Sequence, residues 1–349
     1  MKQKSQLVGM LGAAILLAGA LSTSAAEPVK LNLSAGTNIT VAGYVQGRYT
    51  ENTGDAQPGG NFDARRLYLT VKADVDENTD AFIMYTNFPT VGALETYGEY
   101  HKDAFNVKLG LNRIPFGYET PNSSAGLITL ERSRAVKVLA YDDYTFQRGL
   151  FVSYVCPMTG AKLSTAVTNG EPIIAGIPSV ASDSNKRKDV IARLSHSIDG
   201  GEAGISYFDG IASAKNKIND PSVAYDPKGG TTVLTNATVK RYGADVQYAN
   251  GNLKAIAEVV GGQTDATDSV GGYVSLGYKV TPDLQPYFRY DTFDPSNANK
   301  GDNYRALTFG VQHNLNPRSS IKVEYQRIED HADLSGLTGT FGAQYQVTY

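Results

Sequence analysis

The sequence predicts an all-β protein: a transmembrane antiparallel β-barrel of about 16 strands, with short periplasmic turns and longer extracellular loops. Three observations predict it. An export signal stands at the N-terminus, apolar and polar residues alternate with period two along most of the chain, and connection length switches between short and long at every second strand.

The signal comes first in the chain. Lys2 and Lys4 precede an apolar and glycine stretch from Leu7 to Leu21, and Ser24-Ala25-Ala26 supplies the small residues a signal peptidase reads. We expect residues 1–26 to be removed, leaving Glu27 as the first residue of a single domain spanning 27–349. The stretch is too short for a membrane-spanning helix, and no cysteine follows it to accept a lipid. Without Lys2 and Lys4, the chain carries 30 basic against 35 acidic residues, which argues against a nucleic-acid partner. The single cysteine, Cys156, excludes an intramolecular disulfide and a cysteine-based metal site, and is expected to be a small buried or lipid-facing residue. Past residue 26 no run reaches the 18 or so apolar residues of a membrane helix, so the remaining options are a secreted soluble protein or a barrel.

Alternation decides between them. Ile39, Val41, Val45 and Tyr49 share one parity, while Thr40, Gln46, Arg48 and Thr50 share the other. Leu67, Leu69 and Val71 alternate with Arg66, Tyr68, Thr70 and Lys72, and Ile321, Val323 and Tyr325 with Lys322, Glu324 and Gln326. One apolar and one polar face per strand produces this pattern. Sixteen candidate strands follow: 38–50, 62–73, 80–88, 93–101, 105–113, 147–156, 161–168, 188–196, 202–208, 236–248, 252–260, 271–280, 283–292, 304–314, 319–328 and 340–349. Parity is ambiguous in 80–88, 93–101 and 147–156.

Connections 74–79, 102–104, 157–160, 197–201, 249–251, 281–282 and 315–318 are short. Those at 51–61, 114–146, 169–187, 209–235, 261–270, 293–303 and 329–339 are longer, and only 89–92 breaks the rule. A soluble sandwich has no reason to sort loop length by parity, whereas an outer-membrane barrel does. An even strand count puts both termini on the short-turn side, and only residues 27–36 precede the first strand, too few for a periplasmic domain. The last strand alternates through Phe341, Ala343, Tyr345, Val347 and Tyr349, ending on an aromatic residue like the terminal signal read by the outer-membrane assembly machinery. With 22 Tyr and no Trp, tyrosine must form most of the aromatic girdles that face outer-membrane lipids.

Several segments resemble the phosphate-selective porin O/P family: DARRLYLTVKAD (63–74), FNVKLGLNRIPFGYE (105–119), ITLERSR (128–134), RYGADVQYANGNLKAIAE (241–258) and GGYVSLGYKVTPDLQPYFRYDTFDP (271–295). The Gly-Leu-Asn-Arg-Ile-Pro-Phe-Gly run is the most specific. The resemblance implies a sixteen-stranded barrel, usually a homotrimer, around a water-filled channel, in the outer membrane of a Gram-negative-type bacterium. Phosphate selectivity is not carried over, because the family's specificity residues do not map one by one.

In a barrel of this size selectivity comes from a constriction and from wall charge. Connection 114–146 is the longest, follows the fifth strand, and is the candidate constriction loop by analogy with porins. Arg113, Arg132, Arg134 and Lys137 lie in or beside it, with Glu119, Glu131, Asp142 and Asp143. The polar parity places Arg48, Arg66, Lys72, Lys108, Arg193, Arg241, Lys254, Lys279, Arg289 and Lys322 toward the lumen, against Glu95, Glu99, Asp245, Glu258, Asp291 and Glu324. That excess of bases favours small hydrophilic anions as solutes. The alternative is internal cancellation, as between Arg289 and Asp291 or Lys322 and Glu324. Arg65, on the other parity, is expected at the outer rim facing away from the lumen.

No metal or cofactor is implied. Asp74, Asp76 and Asp80 lack the glycine and terminal glutamate of a calcium loop, the four histidines are scattered, and neither a nucleophile elbow nor a phosphate loop occurs. A barrel enzyme would need a catalytic constellation, and an adhesive outer-membrane protein would need larger loops or a further domain.

Overall fold

The computed structural model describes residues 29–32, 37–53, 59–86, 92–141, 145–170, 187–211, 218–219, 233–234, 237–297, 303–330 and 336–349. The proposed signal 1–26 lies outside the described residues, as do Asp142 and Asp143. Sixteen strands form the main sheet: β1 (Asn38–Asn52), β2 (Asn61–Asp74), β3 (Thr79–Thr86), β4 (Gly92–Lys102), β5 (Phe105–Arg113), β6 (Phe146–Val155), β7 (Lys162–Thr168), β8 (Asp189–Ile198), β9 (Gly201–Ile211), β10 (Thr238–Asn250), β11 (Leu253–Thr264), β12 (Thr267–Tyr278), β13 (Leu284–Asp294), β14 (Tyr304–Asn316), β15 (Ser319–Asp330) and β16 (Gly336–Thr348). Each pairs antiparallel with its neighbours in sequence, and β16 returns to pair with β1, so the sheet closes and no edge is left. Every candidate strand corresponds to one of these.

Two additions stand beside the ring. Val29–Asn32 pairs with Asn38–Val41, so the stretch before the first strand is itself a short strand. Ile218–Asn219 pairs with Val233–Leu234 within the connection between β9 and β10. No described helix is long and apolar enough to cross a membrane.

The connection 261–270 is a correction. β11 and β12 run on to Thr264 and Thr267 and pair there, leaving a tight turn at Asp265, whose φ is 48°. Gly261, Gly262 and Asp268 read as loop residues in sequence, but cross-strand pairing overrides their local preference. Cys156 is a second correction: it lies in the turn between β6 and β7, half-buried, rather than on a lipid-facing strand.

Alternation now has a physical side. Leu109, Ile205, Tyr242 and Phe309 project from the outer surface with more than half of their area exposed. Aromatic pairs sit on that surface toward both ends. Phe105 and Tyr154 meet near the short turns, at 4.6 Å between ring centroids, and Tyr207 and Tyr242 toward the other end, at 5.4 Å. An exposed apolar belt of this extent has to be covered. On the inner row Gln46, Arg66, Asp245, Glu258, Arg289 and Lys322 are buried.

Candidate constriction site

The site is built on the connection from β5 to β6, described at residues 114–141 and at Thr145. It starts from a closed neck, where Ile114 N–H donates to Thr145 O at 2.8 Å. The segment then turns inward at Gly117, whose φ is 63°. A Cβ there would collide with the Glu258 carboxylate, so glycine is needed both for the turn and for the close approach. Gly117 N–H donates to Ser206 Oγ at 2.9 Å, and the Tyr118 and Glu119 N–H groups donate to the two oxygens of Glu258 at 3.0 Å each. A strand-borne carboxylate thus receives the backbone donors that the turn leaves unpaired.

Further attachments follow around the wall. Leu130 N–H donates to Glu324 on β15 at 3.0 Å, Arg134 N–H to Asp291 on β13 at 3.1 Å, and Lys322 Nζ to Leu127 O. Arg289 donates to Thr129 Oγ1 at 2.7 Å, to Glu131 O at 3.0 Å and to Asp291 at 3.1 Å. Arg241 on β10 donates to Leu139 O at 3.2 Å. Arg132, within the segment, braces it by donating to Glu119 O at 3.1 Å and Ser124 Oγ at 2.7 Å. Ser133 caps the single turn Arg134–Val136, its side chain accepting from Val136 N–H.

The other face of the segment is apolar. Ile114, Phe116, Ala135, Val136, Leu139 and Ala140 pack with Phe151, Ala166, Ile191, Phe208, Val239, Ile256, Val260, Tyr273, Phe293 and Ala306 in one buried cluster. Inner-row residues of β6 to β14 are therefore partly apolar, which strict alternation does not anticipate. A signal was available: β8 carries Val190 and Ile191 just after its first residue, and β11 carries Val259 and Val260, apolar on both parities at the end where the segment docks.

The docked segment leaves a cavity on either side. One, of about 210 Å³ toward the long connections, is lined by Arg48, Arg134, Lys137 and Glu131 together with Tyr304, Thr308 and Gln326. The other, of about 590 Å³ toward the short turns, is lined by Tyr44, Asn106, Lys108, Arg113, Lys162 and Arg193 among others.

The predicted site residues divide accordingly. Arg48 and Arg66 converge on Glu131, at 2.6 and 3.0 Å. Arg65 joins them at 2.6 Å and does not face away from the lumen. The cause is a bulge in β2: Arg66 pairs with Gln46 and Ala64 with Gly47, so Arg65 is the extra residue and is re-aimed inward. Burial alone would raise the Glu131 carboxyl, but Arg66 and Arg65, with Lys137 nearby, hold it well below the usual carboxylate range. Arg134 and Lys137 are half-buried in the smaller cavity, the Arg134 guanidinium 5.9 Å from the Tyr304 ring centre.

Arg132, Arg241, Arg289 and Lys322 are at most 6% exposed and serve the segment's attachment rather than the open lumen. Arg113 pairs with Glu95 at 2.8 Å, Lys108 with Glu99 at 3.6 Å, and Arg193 with Asp245 at 2.6 Å and Glu202 at 2.9 Å. Lys254 is half-buried on the inner row. Lys279 falls past the end of β12, exposed in a turn, because the strand stops at Tyr278. Lys72 bridges Asp74 at 2.7 Å and Asp80 at 3.1 Å. Asp80, Glu99 and His101 meet across β3 and β4, a proximity invisible in their sequence spacing, but the Lys72 ammonium already supplies positive charge there. Of the two cancellations weighed from sequence, Arg289 with Asp291 is a contact at 3.1 Å. Lys322 and Glu324 instead each hold a different backbone group of the inner segment.

A closed sixteen-stranded barrel with a long connection packed inside it is the architecture of the porin-type barrels. Solved structures bear this out at the level of fold. OmpT, an outer membrane protein of Vibrio cholerae solved in a trimer form, superposes with a TM-score of 0.65 at 10% identity, covering 90% of this chain and 99% of that one. The anion-selective porin from Comamonas acidovorans does so at 0.61 and 13% identity, covering 90% and 99%. The outer membrane channel DcaP of Acinetobacter baumannii does so at 0.61 and 11% identity, covering 91% and 99%. No protein-family model and no curated protein sequence matches the chain, so the phosphate-selective resemblance rests on its motifs.

Proposed function

We propose that the protein is a porin of the outer membrane: a water-filled diffusion channel for small hydrophilic solutes that prefers anions, has no enzymatic role, and assembles as a homotrimer after removal of residues 1–26. The short turns then face the periplasm and the long connections the exterior. The observation that carries this reading is the inward-packed segment 114–141, which narrows a closed barrel and presents Arg134 and Lys137 to the cavity beside it. The exposed apolar belt with aromatic pairs toward both ends supports the membrane setting. The trimer form of the Vibrio protein and the anion selectivity of the Comamonas porin support the assembly and the charge preference by analogy.

The anion preference comes from local imbalance rather than from a count along the whole wall. Along the larger cavity, Lys108, Arg113 and Arg193 are each paired with an acid. Toward the long connections, the described residues lining the smaller cavity include Arg48, Arg132, Arg134, Lys137 and Arg289 against Glu131 and Glu324. Reconstitution of the purified protein into a planar lipid bilayer tests the channel reading: stepwise ohmic conductance supports it, and verified insertion without conductance overturns it.

A further inference from the structure

The contacts of Glu131 carry more than loop attachment. Arg65 grips its carboxylate with two nitrogens, Nε to Oε1 at 2.6 Å and Nη2 to Oε2 at 3.0 Å. Arg48 Nη1 adds a bond to Oε1 at 2.6 Å and Arg66 Nη2 a bond to Oε2 at 3.0 Å. Three guanidiniums from two adjacent strands thus surround one planar carboxylate, with a side-on fork from one of them. This is the geometry by which arginine recognises carboxylates. The bulge that turns Arg65 inward exists only at this point of β2, and it completes the set.

The Glu131 side chain is 35% exposed and borders the 210 Å³ cavity where Arg134 and Lys137 lie. The segment does not depend on it for docking, since its neighbours are held independently: Leu130 by Glu324, and the Glu131 carbonyl by Arg289.

We propose that Arg48, Arg65 and Arg66 form a binding subsite for carboxylate-bearing solutes, and that Glu131 is a tethered carboxylate occupying it, displaced by solute carboxylates as they pass. The inference rests on the porin reading for its place in transport. A resident competitor lowers the apparent affinity of the subsite, so each solute is held only briefly, which a channel requires. Four bonds converge on the two oxygens of one planar carboxylate, so a solute carboxylate can reproduce the resident's contacts, and tetrahedral inorganic phosphate is the control for a general oxyanion site.

The test is titration calorimetry of succinate against the full-length protein in detergent micelles, independent of conductance. Wild type is expected to bind weakly, Glu131→Gln at least tenfold more tightly, and Arg65→Gln combined with Glu131→Gln to lose that gain. Inorganic phosphate in place of succinate is expected to gain less than succinate in Glu131→Gln. Heat-modifiable gel mobility verifies that each variant is a folded barrel. Unchanged or weakened succinate binding in Glu131→Gln overturns the proposal. So does a gain that survives loss of Arg65, or an equal or greater gain for phosphate. A merely structural role for Glu131 moves stability but produces no gain of binding. In bilayers, succinate should shorten open dwell times in Glu131→Gln at lower concentration than in wild type. Absence of any conductance would count against the porin reading while leaving the calorimetric result to decide the subsite.

Discussion

The two sides on which segment 114–141 meets the barrel wall work by different physics. Against β6 to β14 it docks through an apolar cluster, with Phe116, Val136 and Leu139 fully buried. Against β1 and β2 it meets three arginines through a single carboxylate. The apolar side provides anchoring, since burial removes large apolar side chains from water. The charged side provides little anchoring, because partly exposed ion pairs in water contribute modestly. What it provides instead is a charged face beside the smaller cavity. One segment is thereby held on one side and charged on the other.

Breaking the apolar side should have the largest effect. Phe116→Ala removes a side chain with no exposed surface and should weaken docking by about 3–5 kcal/mol. The expected readout is a larger and noisier single-channel conductance, with the segment newly cleavable by protease. Unchanged conductance and protection would mean that the polar attachments alone hold the segment.

The second effect concerns the barrel face on which both sides depend. Val323→Arg puts a charge on the outer face and should cost about 2–4 kcal/mol near the bilayer midplane. Gln326→Arg lies on the inner row, where Gln326 borders the smaller cavity, and should be tolerated. Equal losses of folding free energy in urea titrations would contradict the inside–outside assignment of β15.

The third concerns the seam. Tyr349 and Gly43 exchange backbone hydrogen bonds at 2.9 and 3.0 Å, and Tyr349 Oη donates to Tyr68 O at 3.1 Å. Removing Tyr349 should cost about 1–3 kcal/mol of barrel stability through those bonds. It should reduce the yield of membrane-inserted protein further, because Phe341, Tyr345, Val347 and Tyr349 are proposed as the assembly signal. Normal yield with lowered stability would remove the signal reading and keep the structural one.

The smallest effect is on the charged side and depends on pH. The folded Glu131 carboxyl lies below its unfolded value of about 4.3. Its stabilising contribution is therefore full above that value and disappears as pH falls through the lower folded one. The difference in thermal midpoint between wild type and Glu131→Gln should stay constant from pH 8 to about pH 5 and shrink only in stronger acid. A difference that vanishes near neutral pH would contradict the guanidinium cage.

These regions were unequally legible in the sequence. The strands were readable because alternation is a local signal, and so was the inner parity of Arg48, Arg289 and Lys322. What those bases do was not readable. Arg289 and Lys322 turn out to hold backbone groups of a segment 158 and 195 residues away in sequence, and no local pattern encodes such a contact. Arg65 was misplaced for a related reason: a bulge shifts parity by one residue and is set by cross-strand pairing with β1. The apolar docking site left a trace in the doubled valines of β11, but a strand that is apolar on both faces reads equally well as ambiguous.

The measurement that bears most directly on the account is the reversal potential of the wild-type protein across a tenfold KCl gradient in a planar bilayer, compared with Arg134→Glu combined with Lys137→Glu. Wild type should favour chloride over potassium, more strongly at low salt, where the Debye length is about 30 Å at 0.01 M against about 3 Å at 1 M. The double variant should shift toward potassium, because it inverts the two cations of the smaller cavity and leaves Arg132, Arg241, Arg289 and Lys322 to hold the segment. A cation-selective wild type, or a double variant with unchanged selectivity, would contradict the claim that this charged side sets what the channel passes.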